Sequence, residues 1–293
     1  MKKGFQWVND REKLLLECAR RAVYKTLEDG AGLALHFFLP KDFREGEARP
    51  AMLFFNGGAW DRGSVVQFAP HALYYVGRGA VCALVEYRNR ATHPGSRPSL
   101  SHQDGRAAIR YVRQQAAELN VDPARVITLG AGAGANIAGA ALLGTPLTAS
   151  ESAFKVADSR PNAAVLLSGL FDVVKGGLGY DACADPAEAR LLSLSRFVAT
   201  GVPPLLLIHG NADRHVPFED AAAFAGKMER KKNPCRLIEF EGRERDFFNL
   251  NVDPVSYEAA LAEIDGFLDE YGLLKKIDRE AGPHLISWRE EDY

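Results

Sequence analysis

Four segments of this chain combine glycine turns with residues able to hold or move charge. In FFNGGAWDRG, residues 54–63, Asn56 precedes Gly57, Gly58, Ala59 and Trp60. Paired glycines after an apolar run let successive backbone N–H groups converge on one point, a nest for an anion or a developing oxyanion. The same pair also serves a plain tight turn. In VITLGAGAGANIAGA, residues 126–140, a run of Gly and Ala from Gly130 to Gly134 joins an apolar stretch to a helical one. A dinucleotide fingerprint would put such a turn after the first strand and a ribose-binding acid about 20 residues later. Here the turn lies deep in the chain and a Ser/Thr-containing loop follows it. In HGNADRHVPF, residues 209–218, Asp213 stands between His209 and His215, and in EGRERDFFN, residues 241–249, Arg245 precedes Asp246. The histidines form neither HExxH nor H-x-H, and Cys18, Cys82, Cys183 and Cys235 form no CxxC pair, so neither a metal nor another cofactor is expected.

These segments need elements to position them. Residues 10–20 read as a short amphipathic helix. Val23–Thr26 and Leu33–Phe38 read as strands joined through Asp29-Gly30, a good hairpin turn. From residue 51 onward short apolar runs alternate with amphipathic ones. Strands are expected at 51–55, 80–87, 126–129, 163–167, 204–208 and 236–240, and helices at 66–77, 103–119, 136–143, 217–232 and 254–271. Residues 145–161 read as loop, 172–200 as a mixed segment over one end of the sheet, and 273–293 as a peripheral charged tail. Apolar runs without alternation belong to strands covered on both faces. The expectation is one α/β domain over residues 1–293 with its core at 22–272. It would have a mostly parallel central sheet of about eight strands and helices on both faces.

Of the 293 residues, 47% are apolar and 25% charged, enough for a sizeable core. Lys and Arg number 36 against 38 Asp and Glu, a net charge of −2, so nothing electrostatic points to nucleic acid or an anionic membrane as partner. No apolar run is long enough to span a bilayer and the N-terminus has no signal-peptide pattern, which would make a full-length chain cytoplasmic. Nothing in the sequence fixes an oligomeric state.

The four segments, in this order, resemble the α/β-hydrolase superfamily, in particular its esterases and lipases akin to acetylxylan and feruloyl esterases and to hormone-sensitive lipase-like proteins. FFNGGAW is similar to the family's oxyanion segment HGGGW, with Asn56 where many members have histidine. LGAGAGANIAG resembles the nucleophile elbow G-x-S-A-G-G. HGNADRHVPF resembles the segment carrying the catalytic acid, and EGRERDFFN the segment G-x-x-H-G-F-F carrying the catalytic histidine. The resemblance places the acid at Asp213, the nucleophile at position 132 and the base at position 245. Those last two positions hold Gly132 and Arg245. Glycine has no side chain to attack with, and an arginine that stays protonated cannot take a proton. Oxyanion and pocket residues implied are Asn56, Gly57, Gly58, Ala59, Trp60, Ala133, Tyr87 and His215.

Other groups offer no evident replacement. His215 reads as a turn histidine on Pro217 or as a pocket group, His209 as a structural hydrogen-bonder, and Ser168 and Tyr87 as strand-end residues without an assigned base. Cys82 and Cys235 read as packing residues. Arg245 is expected to form a two-pronged ion pair with Asp213. The leading expectation is a catalytically impaired esterase-like protein that retains a pocket for a small ester, an acylated sugar or a carboxylate. The alternatives are a carboxylic-ester hydrolase for short-chain or carbohydrate acyl esters with displaced catalytic residues, and an engineered inactive variant of one.

Overall fold

The computed structural model of the chain describes residues 14–41, 47–146 and 158–274. Eight strands form one sheet: β1 (Arg20–Thr26), β2 (Gly32–Phe38), β3 (Arg49–Phe55), β4 (Val81–Val85), β5 (Val121–Ala131), β6 (Ala163–Leu167), β7 (Leu205–Gly210) and β8 (Cys235–Phe240). Their spatial order is β1-β2-β4-β3-β5-β6-β7-β8. The pairs β1–β2 and β2–β4 are antiparallel and all others are parallel. The first hairpin turns through Asp29-Gly30, where Asp29 Oδ1 accepts from the Ala31 N–H at 2.9 Å and Gly30 takes φ +83°. The longer helices among the described residues are α1 (Ala69–Gly77), α2 (Pro98–Gln114), α3 (Ala133–Leu143), α4 (Pro186–Leu192), α5 (Phe218–Arg230) and α6 (Pro254–Glu270).

The apolar runs explain the layers. Every residue of β3, β4, β6 and β7 is buried, and alternate side chains enter different cores. Leu53, Phe55, Leu166 and Leu207 pack in one core with α2, α3 and α5, while Met52, Phe54, Val165 and Leu206 pack in the other with α1 and α6. Since β3 and β5 to β8 are parallel, their carboxyl ends lie along one edge, the side on which ligands meet open α/β sheets. The residues following them there are Asn56, Gly132, Ser168, Asn211 and Glu241.

Several boundaries differ from the sequence pattern. Within the expected helix 10–20, residues 14–17 are helical and β1 begins at Arg20, while residues 10–13 lie outside the described residues. Helix α2 starts at Pro98, five residues early, because its first turns bury polar groups rather than an apolar stripe. Ser101, His102 and Asp104 are among its buried residues. The Asp104 carboxylate receives Lys25 Nζ at 2.6 Å and Arg88 Nε and Nη2 at 2.8 and 2.7 Å, tying the helix to β1 and to the exit of β4. The helix stops at Gln114, and the chain turns through Asn120 at φ +50°. Strand β5 then begins at Val121, hidden in the sequence by the polar stretch Asp122–Arg125 and by a register shift against β3. Most of the 145–161 loop and of the tail lie outside the described residues, but Leu273 and Leu274, expected in a peripheral tail, are buried in the α6 core. Among the described residues no helix is long and apolar enough to cross a membrane.

Two buried histidines make the fold sensitive to acid. His71 on α1 is fully buried edge-on between Phe68 at 5.1 Å and Tyr257 at 4.8 Å, with neither ring nitrogen hydrogen-bonded among the described residues. Burial lowers its pKa from the ordinary value to about 3. Burial, with the charge of Arg106 adding to it, also lowers His102 to about 3. Both stay neutral in the fold while the unfolded chain takes up protons below its histidine pKa, so stability is present above pH 6.5 and lost as pH falls. Denaturant titrations between pH 6 and 5 are expected to show a loss of roughly 1.4 kcal/mol per pH unit for each histidine. His71→Phe, which loses no hydrogen bond, should remove its share of that slope while leaving neutral-pH stability unchanged or higher.

Candidate active site

The turn from β5 to α3 has the form of a nucleophile elbow without a nucleophile. Gly132 takes φ +52° and ψ −111°, a backbone that costs a residue with a side chain about 1–3 kcal/mol. Its N–H donates to Leu167 O at 3.2 Å, and its carbonyl accepts from Asn136 N at 3.1 Å and Leu170 N at 3.3 Å, so the turn is pinned from β6 and from α3. A Cβ at Gly134 would run into the carbonyl oxygens of Phe55 and Asn56, so only glycine lets the elbow sit this close to β3. Asn136 fixes the helix behind it: its Oδ1 meets His102 Nε2 at 2.8 Å, and its Nδ2 donates to Leu170 O at 2.7 Å and Leu192 O at 2.9 Å.

Arg245 occupies the space above Gly132. A Cβ built on Gly132 would overlap Arg245 Nη2, with Cζ at 3.4 Å and Nε at 3.7 Å. Asp213, in the loop after β7, is held through Oδ1, which accepts from the N–H groups of His215 at 2.8 Å and Val216 at 3.1 Å. Its Oδ2 faces Arg245 Nη1 and His209 Nε2, each at 3.5 Å. The expected two-pronged ion pair is therefore absent. One guanidinium nitrogen approaches Oδ2 at a distance too long for a hydrogen bond, while Oδ1 is engaged by two backbone N–H groups. Burial pulls the Arg245 pKa down from its ordinary value, and Asp213 and then Asp246 oppose this. His209 lies with Nε2 2.9 Å from Val216 O, and burial lowers its pKa too, so it is a neutral structural group.

The glycine turn after β3 faces the elbow. Gly57 N–H donates to Gln67 Oε1 at 2.7 Å, Gln67 Nε2 donates to Asn249 Oδ1 at 3.2 Å, and Asn249 Nδ2 donates to Asp246 O at 3.0 Å. This chain of bonds ties the glycine turn to the Arg245 loop. Ser168 makes a second tie, its Oγ donating to the Arg245 carbonyl at 2.6 Å. Ala59 and Trp60 both have positive φ, +53° and +61°, strain that the surrounding contacts must maintain.

Between these loops lies an open cleft of about 1000 Å³. Of the implied pocket residues, Gly57, Gly58, Ala59, Gly132, His215 and Arg245 line it, as does Ser168. His215 is largely exposed, with Nδ1 4.0 Å from Asp213 Oδ1. Asn56, Trp60, Tyr87 and Ala133 are buried and do not line the cleft. Trp60 belongs to the α2/α3 core, and Tyr87 supports the turn from behind, its hydroxyl donating to Asn56 O at 2.6 Å. Burial raises the pKa of the Tyr87 hydroxyl above its ordinary value. Cys82 is buried in the core, and Cys235 packs against the other core. Sequence reasoning missed Gln67, Asn249, Asn136 and His102, whose partners are distant in the chain or whose side chains carry no motif signal. Among the described residues no group of three or more His, Cys, Asp and Glu is placed to hold a metal ion.

The family model for BD-FAE matches residues 35–228, from β2 into α5. The chain belongs to the BD-FAE family. With its sheet order and its elbow, this places it in the esterase/lipase group of the α/β-hydrolase superfamily. It is similar to esterase 2 of Thermogutta terrifontis in its apo form, at 34% identity and a TM-score of 0.81, over 88% of this chain and 97% of that one. It is 26% identical over 205 residues to esterase LipQ of Mycobacterium tuberculosis, covering 64% of this chain and 47% of LipQ. It is 22% identical over 222 residues to the isoprenylcysteine alpha-carbonyl methylesterase ICME of Arabidopsis thaliana, covering 67% of this chain and 50% of ICME. The chain thus spans about half the length of these two curated relatives.

Within this BD-FAE chain, positions 132 and 245 are coupled by volume. Gly132→Ser is expected to lower stability by about 1–3 kcal/mol from backbone strain, with the overlap against Arg245 in addition. Adding Arg245→His should recover the overlap part. A denaturation cycle over the two positions should then give a favourable coupling of roughly 0.5–3 kcal/mol. Additive effects would mean that the guanidinium moves aside at little cost.

Proposed function

We propose that this chain is a non-catalytic member of the BD-FAE family that keeps the esterase cleft as a binding site for a small ester, an acylated sugar or a carboxylate. One observation carries the reading: the guanidinium of Arg245 fills the volume directly above Gly132, where the resemblance places an attacking side chain. Serine-type ester hydrolysis needs an oxygen at that point and a base beside it. Gly132 supplies no oxygen, and Arg245 is a cation that cannot take a proton. Asp213 stands where the resemblance puts the acid, with the Arg245 guanidinium opposite its Oδ2. The nearby hydroxyl of Ser168 is engaged with the Arg245 carbonyl and is not free to attack.

The relatives named above are ester hydrolases, and the Thermogutta esterase has also been solved phosphorylated by paraoxon. A site without a nucleophile should not take up such a group. A second reading has one observation in its favour. His215 lines the cleft beside Asp213, so an Asp-His pair could activate a water without a serine.

The test is hydrolysis of short-chain aryl and acetyl-sugar esters by the unaltered chain and by the Gly132→Ser/Arg245→His double variant, with intact mass measured after paraoxon. The unaltered chain is expected to give no phosphoryl adduct and at most the residual rate of a triad-less site, about 10³–10⁴ over water. The double variant is expected to gain both the adduct and a rate at least roughly 10²-fold higher, the worth of a positioned base. Substantial turnover by the unaltered chain that His215→Ala abolishes would replace this reading with the second one.

A further inference from the structure

The segment between β6 and α4 is anchored at its two ends and hydrogen-bonded only to itself between them. At its start Val173 N–H donates to Ser193 Oγ at 3.0 Å, and Leu194 N–H donates to Phe171 O at 2.7 Å. At its end the Arg90 guanidinium donates to Asp181 O, and Glu188 Oε2 accepts from Ala184 N–H at 2.6 Å. Between these anchors Gly177 N–H donates to Val174 O at 2.9 Å and Tyr180 N–H to Gly177 O at 3.3 Å. Among the described residues, 174–180 bond only to one another and to Ala182 and Cys183. Val174, Lys175, Gly176 and Gly177 are exposed. Gly176 and Gly179 both take φ +78°, a backbone that glycine enters and leaves at low cost.

Apolar contact seats this segment. Leu178 packs against the α2/α3 core and lines the cleft. The Gly179 backbone lies on the indole of Trp60, where a Cβ at 179 would stand 2.7 Å from Cζ3 and 3.1 Å from Cε3. Trp60 belongs to the glycine turn after β3, and its carbonyl accepts from the Arg90 N–H at 2.9 Å. Arg90 thus holds the turn with its backbone and the segment with its side chain. We propose that residues 174–180 are a strap that lifts from Trp60 and carries Leu178 out of the cleft wall, and that Arg90 is the latch joining it to the glycine turn. Gly176 and Gly179 flank Leu178 and absorb the backbone change. Few buried contacts and one hydrogen bond from an exposed arginine hold the strap down, which puts it at the low-stability end of local opening. A strap of this kind serves a binding cleft and a catalytic one alike, so the inference does not depend on the non-catalytic reading.

The test replaces tryptophan by 5-fluorotryptophan in the full chain and follows the fluorine resonance of Trp60 by relaxation dispersion. Trp60→Phe separates it from the resonances of Trp7 and Trp288. Trp60 is expected to exchange with a minor state on the microsecond-to-millisecond scale of collective loop motion. Arg90→Ala, checked for folding by its melting transition, should raise the population of that state roughly 3–10-fold, the worth of one hydrogen bond. Arg90→Lys should restore part of the difference. Gly179→Ala, whose Cβ would meet the indole, should move the Trp60 resonance toward the same minor-state position. The inference is overturned if Trp60 shows no exchange, if folded Arg90→Ala leaves the population unchanged, or if the resonance in Gly179→Ala moves elsewhere. Should Gly179→Ala fail to fold, the unaltered chain and the Arg90 variants decide alone.

Discussion

One volume at the carboxyl edge of the sheet, where a side chain on residue 132 would begin, is taken by the guanidinium of residue 245. This occupancy accounts for Gly132, whose backbone angles would strain any other residue, and for the path of Arg245, which needs the missing Cβ to lie against the elbow. In an elbow that bears a nucleophile, strain at the corner is the cost of presenting an oxygen. Here the corner keeps its shape with that strain relieved.

The scaffold around this volume does not depend on which residue fills it. The close approach of Gly134 to the end of β3, the bonds from Asn136 to His102, Leu170 and Leu192, the Gln67–Asn249 bridge and the Ser168 contact all act on backbone or on side chains behind the wall. They hold three loops from different strands in fixed relation. That explains how the elbow and the glycine turn persist beside positions 132 and 245 that lack nucleophile and base chemistry. Such bonds support geometry, and geometry serves binding as well as it serves catalysis.

The legibility of the sequence follows the same division. Runs such as Ala51–Phe55 and Ala163–Leu167 were readable as strands because burial on both faces leaves no polar alternation. The loop motifs at 56–60, 132, 213 and 245 were readable because their chemistry lies in a few residue types at strand ends. The start of α2 and the first half of β5 were not, because Asp104 and His102 are buried through partners far away in the chain, and Asp122–Arg125 interrupts the apolar pattern. Asn56, Trp60, Ala133 and Tyr87 were expected at the oxyanion turn and pocket and are buried away from the cleft, because a motif does not say which side of a wall a side chain takes. The geometry of the Asp213–Arg245 contact was equally hidden, since it depends on backbone N–H groups that a sequence pattern does not display.

Those backbone groups also set how Asp213 meets Arg245. The N–H groups of His215 and Val216 hold Asp213 by one oxygen and leave the other directed at whatever lies opposite. The carboxylate is therefore placed by its own loop and not by its partner. An imidazole there would be oriented by Oδ2, whereas a guanidinium is balanced by it at 3.5 Å. The pair is loose by hydrogen-bond standards, and a loose buried pair repays only part of the desolvation of its charges. The remaining cost falls on a cation packed against the elbow, with its side chain 20% exposed. Asp213 is thus held by backbone N–H groups on one oxygen and faces the Arg245 cation with the other.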